Sequence, residues 1–150
     1  MKLKIGEESL HGEKSAQHSH MIDVSGGLFG FPDIQEMELF YDQEELPFMW
    51  LREGGQEGLA FIVIEPGGII PDYTVEISDN DVDYLKVSGA DDTMILNIIT
   101  LPSEGNSKIS VNLVGPVIVN RNTLVAKQCI INNHEKYSAR HILDLADTGE

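Results

Sequence analysis

The sequence predicts a mainly β protein: a small, antiparallel-rich, barrel-like folded sheet with one or two short helices. Three observations carry this. Short apolar runs alternate with turn-forming residues along the chain. They recur at regular spacing, as the strands of barrels and folded sheets do. A chain of 150 residues suits one domain whose core needs no disulfide or metal staple.

Taken in order, Pro32 opens residues 33–37 as a single helical turn, and residues 37–42 form the first clear strand. Phe48–Arg52 follows Pro47 as the second. Residues 54–58, rich in glycine, loop into a strand at 59–65, and another strand spans 73–77. A helix comes next. Ser78 caps it, Asp79 and Asp81 put negative charge in the first turn, where the helix dipole favours it, and Val82 and Leu85 face inward. Residues 94–101 are a strand, turned back by 103–107 into a strand at 109–113. Gly115 and Pro116 then mark a kink, because proline has no N–H for a ladder and glycine bends freely. A strand at 117–119 leads through a turn at 120–123 to the last, at 124–131. Residues 1–143 form one domain and 144–150 an acidic tail whose end frays.

The strand Phe48–Arg52 is apolar on both faces. Phe48 and Trp50 share one, Met49 and Leu51 the other. A small barrel has one interior, so the second face is either covered by the chain itself or left open to a partner. Pro47 marks the start of an edge at which another chain can pair. Phe48 and above all Trp50 are therefore candidate partner contacts.

The formal net charge is −15, and it is uneven. Residues 33–92 carry sixteen acidic side chains against Arg52 and Lys86, whereas residues 108–141 carry Lys108, Arg121, Lys127, Lys136 and Arg140 against Glu135. Surplus acid serves solubility; an acidic face also steers a basic partner. Direct nucleic-acid binding is excluded for want of clustered Lys and Arg. The longest apolar run, residues 59–64, is far short of a membrane span. With no signal-like N-terminus and a lone Cys129, the expected compartment is the cytoplasm.

The chemistry-bearing patterns dissolve on inspection. Asp79, Asp81 and Asp83 have the spacing of a calcium loop, but Tyr84 and Ala90 stand where it needs glycine and a bidentate glutamate. Residues 147–149 copy the aspartic-protease tripeptide with only Glu150 beyond. His18 and His20 would need His11 to complete a zinc site, and solvated surface histidines account for them better. Cys129 reads as a small buried hydrophobe. Gly26, Gly27 and Gly30 are misspaced for a phosphate loop. No metal, cofactor or catalytic constellation results, and the chain reads as a non-enzyme. Tyr137 and Arg140 adjoin if their segment makes a helical turn. Arg140 then either recognises a partner's carboxylate through two parallel hydrogen bonds or forms an internal salt bridge. Asn112, Asn120 and Gln128 either tie strand ends by side-chain to backbone bonds or face a partner.

One ordered set of short motifs points to a family: Gly27-Leu28-Phe29-Gly30-Phe31, Leu46-Pro47-Phe48-Met49-Trp50-Leu51, Leu59-Ala60-Phe61-Ile62-Val63, Pro71-Asp72-Tyr73, the kinked run from Val111 to Asn120, Gln128, and Tyr137-Ser138-Ala139-Arg140-His141. In this order and spacing the chain resembles FliW, the bacterial flagellar assembly factor, over roughly residues 1–143. It departs at Phe29, usually proline in the family, at Pro32, usually glutamate, and at Gly115, usually alanine. The resemblance implies a cytoplasmic protein with two protein partners and no cofactor. One partner is flagellin. The other is CsrA, the small dimeric RNA-binding repressor of flagellin translation. Flagellin occupies the protein until export; the freed protein then antagonises CsrA. A flagellin chaperone without CsrA control and a small-ligand barrel are the competing readings.

Overall fold

All eight apolar runs become strands in the computed structural model, which describes residues 1–4, 17–53, 58–101 and 107–144. Three further strands join them. In chain order the elements are β1 (Lys2–Lys4), β2 (Gln17–Asp23), β3 (Glu36–Asp42), β4 (Phe48–Arg52), β5 (Ala60–Ile64), β6 (Thr74–Glu76), α1 (Asp79–Leu85), β7 (Thr93–Thr100), β8 (Lys108–Val111), β9 (Val117–Asn120), β10 (Ala126–Gln128) and β11 (His141–Asp144). The expected turns at 54–58 and 103–107, His11 and the tail fall wholly or mainly outside the described residues.

Nine strands form one sheet in the order β10-β9-β7-β5-β4-β3-β2, with β8 paired to β7 and to β11; β1 and β6 form a separate ribbon. Every strand ladder is antiparallel. Among the described residues the two ends of the sheet meet at an isolated parallel bridge, Asp23 with Val125, and no ladder joins them. The architecture is a folded sheet with an open seam and not a closed barrel.

Two cores lie on opposite faces of this sheet. Met37, Leu39, Tyr41, Met49, Leu51, Val63, Met94, Leu96, Val117 and Val119 fill the concave side. Ile64, Ile95, Ile99, Ile109, Val111 and Ile118 cover the convex side of the later strands and meet Leu3, Tyr73, Val75, Ile77 and Leu85 from the ribbon and helix. Burial on both faces explains the unbroken run Met94-Ile95-Leu96 and its neighbour Val117-Ile118-Val119, where a half-exposed strand would alternate.

The helix forms where Ser78 predicts it. The Ser78 hydroxyl accepts the Asp81 N–H at 3.2 Å, and Lys86, left-handed at φ 58°, ends the helix by donating its N–H to Val82 O at 2.7 Å. Residues 33–37 do not make a helical turn. Val24 donates to Gln35 O at 2.8 Å, which draws the segment toward β2 and into β3 from Glu36.

The Gly115-Pro116 kink is a large bulge. Val111 stands opposite Ile99 and Val117 opposite Leu96, so residues 112–116 face only Asn97 and Ile98. Its backbone groups all find partners. Asn112 Oδ1 accepts the N–H groups of Val114 and Gly115 at 3.0 and 2.9 Å. Asn97 Nδ2 donates to Asn112 O, Tyr73 Oη to Leu113 O, and Gln128 Nε2 to Gly115 O. Asn112 N reaches Ile98 O and Leu113 N reaches Ser138 O, while Cys129 N and Ile131 N take the carbonyls of Pro116 and Val114. Burial drives the Tyr73 hydroxyl pKa upward, which keeps it a donor.

Candidate functional site

Among the described residues, the ribbon and helix cover the convex face over β5, β7, β8, β9 and the Phe48 end of β4, but not over the rest of β4, β3 and β2. Cross-strand register decides what is displayed there. Trp50 on β4 lies between Phe40 on β3 and Ile62 on β5; Ser19 on β2 is opposite Phe40, and Met21 is opposite Glu38. Trp50 is 39% exposed and Met21 51%, while Phe40 and Ile62 are half-buried. Phe40, Trp50 and Ile62 thus form an apolar row across three strands, with Met21 diagonal to Phe40, and exposed apolar area of this kind marks protein contacts.

Charge frames the strip. Arg52 lays its guanidinium 4.2 Å from the Phe40 ring centroid and donates Nε to Glu38 Oε1 at 2.8 Å. Ser19 also donates to Glu38, and this bond, then Arg52, holds the Glu38 carboxyl below its ordinary value. Glu38 thus stays ionised and its charge is locally answered. Among the described residues the other acids near the strip have no cation beside them. Asp23, Asp33, Glu36 and Glu53 line a hollow of about 340 Å³, and exposed Glu44 and Glu45 follow β3. Asp23, also lowered, spends one oxygen on Ser25 N and Oγ at 2.9 and 2.6 Å. The surface therefore pairs exposed aromatic area with negative charge.

Phe48 shares the Trp50 face, as alternation requires, but packs half-buried against the covered core. Asn112 and Gln128 lie at the bulge. Gln128 is 5% exposed, accepts Phe29 N at 2.8 Å through Oε1 and donates Nε2 to Gly115 O at 2.9 Å. Asn120 likewise serves the chain itself: Nδ2 donates to Leu85 O at 2.8 Å and Oδ1 accepts the Asn122 and Thr123 amides. Tyr137 closes a short 3-10 turn, His134–Lys136, so it and Arg140 do not share a helical turn. Its hydroxyl accepts Thr74 N at 3.0 Å and donates to Asp72 O at 3.2 Å, and its ring meets Tyr73 edge-on. Arg140 is exposed and makes no ion pair among the described residues, so the internal salt bridge does not form there. Met21, Phe40 and Ile62 escaped the sequence reading; only alternation in Glu36–Asp42, which puts Phe40 outward with Glu36 and Glu38, hinted at them.

The other chemical candidates have structural employment. His18 stacks on Tyr41 with ring centroids 4.7 Å apart. Asp81 pairs with Lys127 at 2.6 Å. Cys129 is buried, and desolvation, reinforced by Asp81, pushes its thiol up to about 12, which suppresses thiolate reactivity. Among the described residues no three His, Cys, Asp or Glu side chains cluster as a metal site, and no helix is long and apolar enough to cross a membrane.

Comparison with known proteins gives a consistent result. The model of the family described as FliW protein matches residues 6–143. The flagellar assembly factor FliW of Bacillus pumilus is 33% identical over 144 residues, covering 96% of this chain and 99% of that protein. The one from Natranaerobius thermophilus is 30% identical over 132 residues, covering 88% and 87%. A crystal structure of the flagellar assembly factor FliW superposes with a TM-score of 0.69 at 26% identity, covering 83% of this chain and 84% of that one.

Proposed function

Since the chain belongs to the FliW family of flagellar assembly factors, we propose that it binds flagellin in the cytoplasm and, when free of flagellin, binds and antagonises CsrA. Flagellin synthesis is thereby coupled to flagellin export. The mechanism is an exchange of protein partners, with no bond made or broken and no cofactor.

The observation that carries this reading is the row of Phe40 and exposed Trp50, with exposed Met21 beside it, within an acidic frame. An exported subunit awaiting assembly has apolar surface that must be shielded from water, and the row offers an apolar host for it. A basic RNA-binding repressor is drawn by the acidic residues, which raise its encounter rate and select against acidic competitors. Both partners can thus use one region for different physical reasons, which makes exchange the natural outcome.

Calorimetric titration of the protein into purified CsrA tests the electrostatic half. The acidic groups are exposed, and screening acts over about 10 Å at 0.1 M salt. Affinity should therefore fall steadily as salt rises. Affinity unchanged between low and high salt would count against an interface driven by these carboxylates.

A further inference from the structure

We propose that an extended segment of the partner adds to the edge of β2 that faces away from β3, at the seam of the sheet, and seats one apolar side chain in the hollow beside Leu124. The occupant is a stretch of unassembled flagellin, so the inference rests on the flagellin-binding reading above.

Parity turns half of the β2 main-chain groups away from β3. Val24 N bonds toward β3 through Gln35 O, whereas Asp23 N bonds the other way, to Leu124 O at 2.9 Å. Along β2 the even residues therefore serve the β3 ladder, and the odd residues turn their N–H and C=O groups outward. Asp23 uses its N–H in the bridge; the main-chain groups of Ser19 and Met21 have no partner among the described residues. The strand Gln-His-Ser-His-Met-Ile-Asp carries neither proline nor lysine, the residues that usually guard an exposed edge.

The seam has a pocket in the right place. Beside β2, a hollow of about 210 Å³ is lined by His20, Ile22, Leu39, Met94, Arg121, Asn122 and Leu124. Small-molecule sites run to about 300–1,000 Å³, so this one is undersized for a cofactor and sized for one side chain. A strand laid against β2 would point every second side chain to the same face as its neighbours His20 and Ile22. That face is the concave one, and such a side chain would enter the hollow. The added strand would stand where the sheet lacks a ladder between β2 and β10.

The rim supplies charge complementarity. Arg121 donates Nε to Thr93 O at 2.8 Å and has Nη2 3.7 Å from Glu65, a loose pair. A guanidinium has five N–H groups, so donors remain for a carboxylate beside the anchor, with His20 and Asn122 alongside. The fitting segment is an apolar residue flanked by an acidic one, in extended conformation.

Hydrogen exchange of the protein with and without purified flagellin reads this directly. The Ser19 and Met21 amides should exchange rapidly alone and become protected in the complex. Met21→Pro deletes an outward N–H and no existing ladder bond, so it should fold normally by circular dichroism. It should lose about tenfold more flagellin affinity than Met21→Ala, which controls for the side chain. Flagellin binding with unaltered exchange at Ser19 and Met21, or equal affinities for the two variants, would overturn the inference while leaving the function intact. If flagellin does not bind at all, the functional reading fails and the inference falls with it.

Discussion

Trp50→Ala is expected to weaken flagellin binding about thirtyfold or more while leaving the protein folded. Truncating an aromatic anchor at the centre of an interface typically costs on the order of 2 kcal/mol or more, and each 1.4 kcal/mol is a factor of about ten. Trp50 fits that role because Phe40 and Ile62 hold its flanks while 39% of the residue remains open to solvent. A tryptophan in the core would behave differently, its removal costing about 3–5 kcal/mol of stability. Thermal stability measured beside flagellin affinity separates the two. A stable variant with normal binding would take Trp50 out of the interface, and a variant that melts would place it in the core.

Gln128→Leu should show the opposite pattern: a stability loss of about 2–4 kcal/mol with little direct effect on partner affinity below the melting transition. The substitution strands two backbone groups, Phe29 N and Gly115 O, that Gln128 now satisfies at 2.8 and 2.9 Å. Gly115 O is buried and costs about 1–3 kcal/mol when left unpaired, and the part-buried Phe29 N adds less. Chemical denaturation gives the stability, and calorimetry with flagellin gives the affinity. Unchanged stability with lost binding would make Gln128 a partner contact instead.

These two residues illustrate how far local sequence reaches. Trp50 was legible because alternation along four apolar residues forces a choice between faces. What decided that Trp50 is exposed and Phe48 half-covered is the extent of the β1–β6 ribbon and α1 above the sheet, a long-range fact invisible in the Phe48–Arg52 segment. Phe40, Met21 and Ile62 were missed for the same reason: they become neighbours of Trp50 only through register between four strands. The sequence does not mark β2 as a strand because its two apolar residues, exposed Met21 and buried Ile22, stand side by side after four polar ones and give no alternation. β11, likewise at an edge, owes its conformation to the ladder with β8. The bulge was legible in outline from Gly115 and Pro116, and the helix in detail from Ser78, because proline chemistry and capping act within a few residues. The helical turn that would set Tyr137 beside Arg140 does not form, because Tyr137 is held by Thr74 and Asp72 from another part of the chain.

The proposed function requires that flagellin and CsrA bind this protein alternately. The decisive measurement is a competition in three steps, read by the polarisation of a fluorescent RNA carrying the flagellin messenger's CsrA site. CsrA alone should bind the RNA. Adding this protein should release it, and adding purified flagellin in equal amount should restore it. RNA that stays on CsrA in excess of the protein, or release that flagellin fails to reverse, would contradict the exchange of partners.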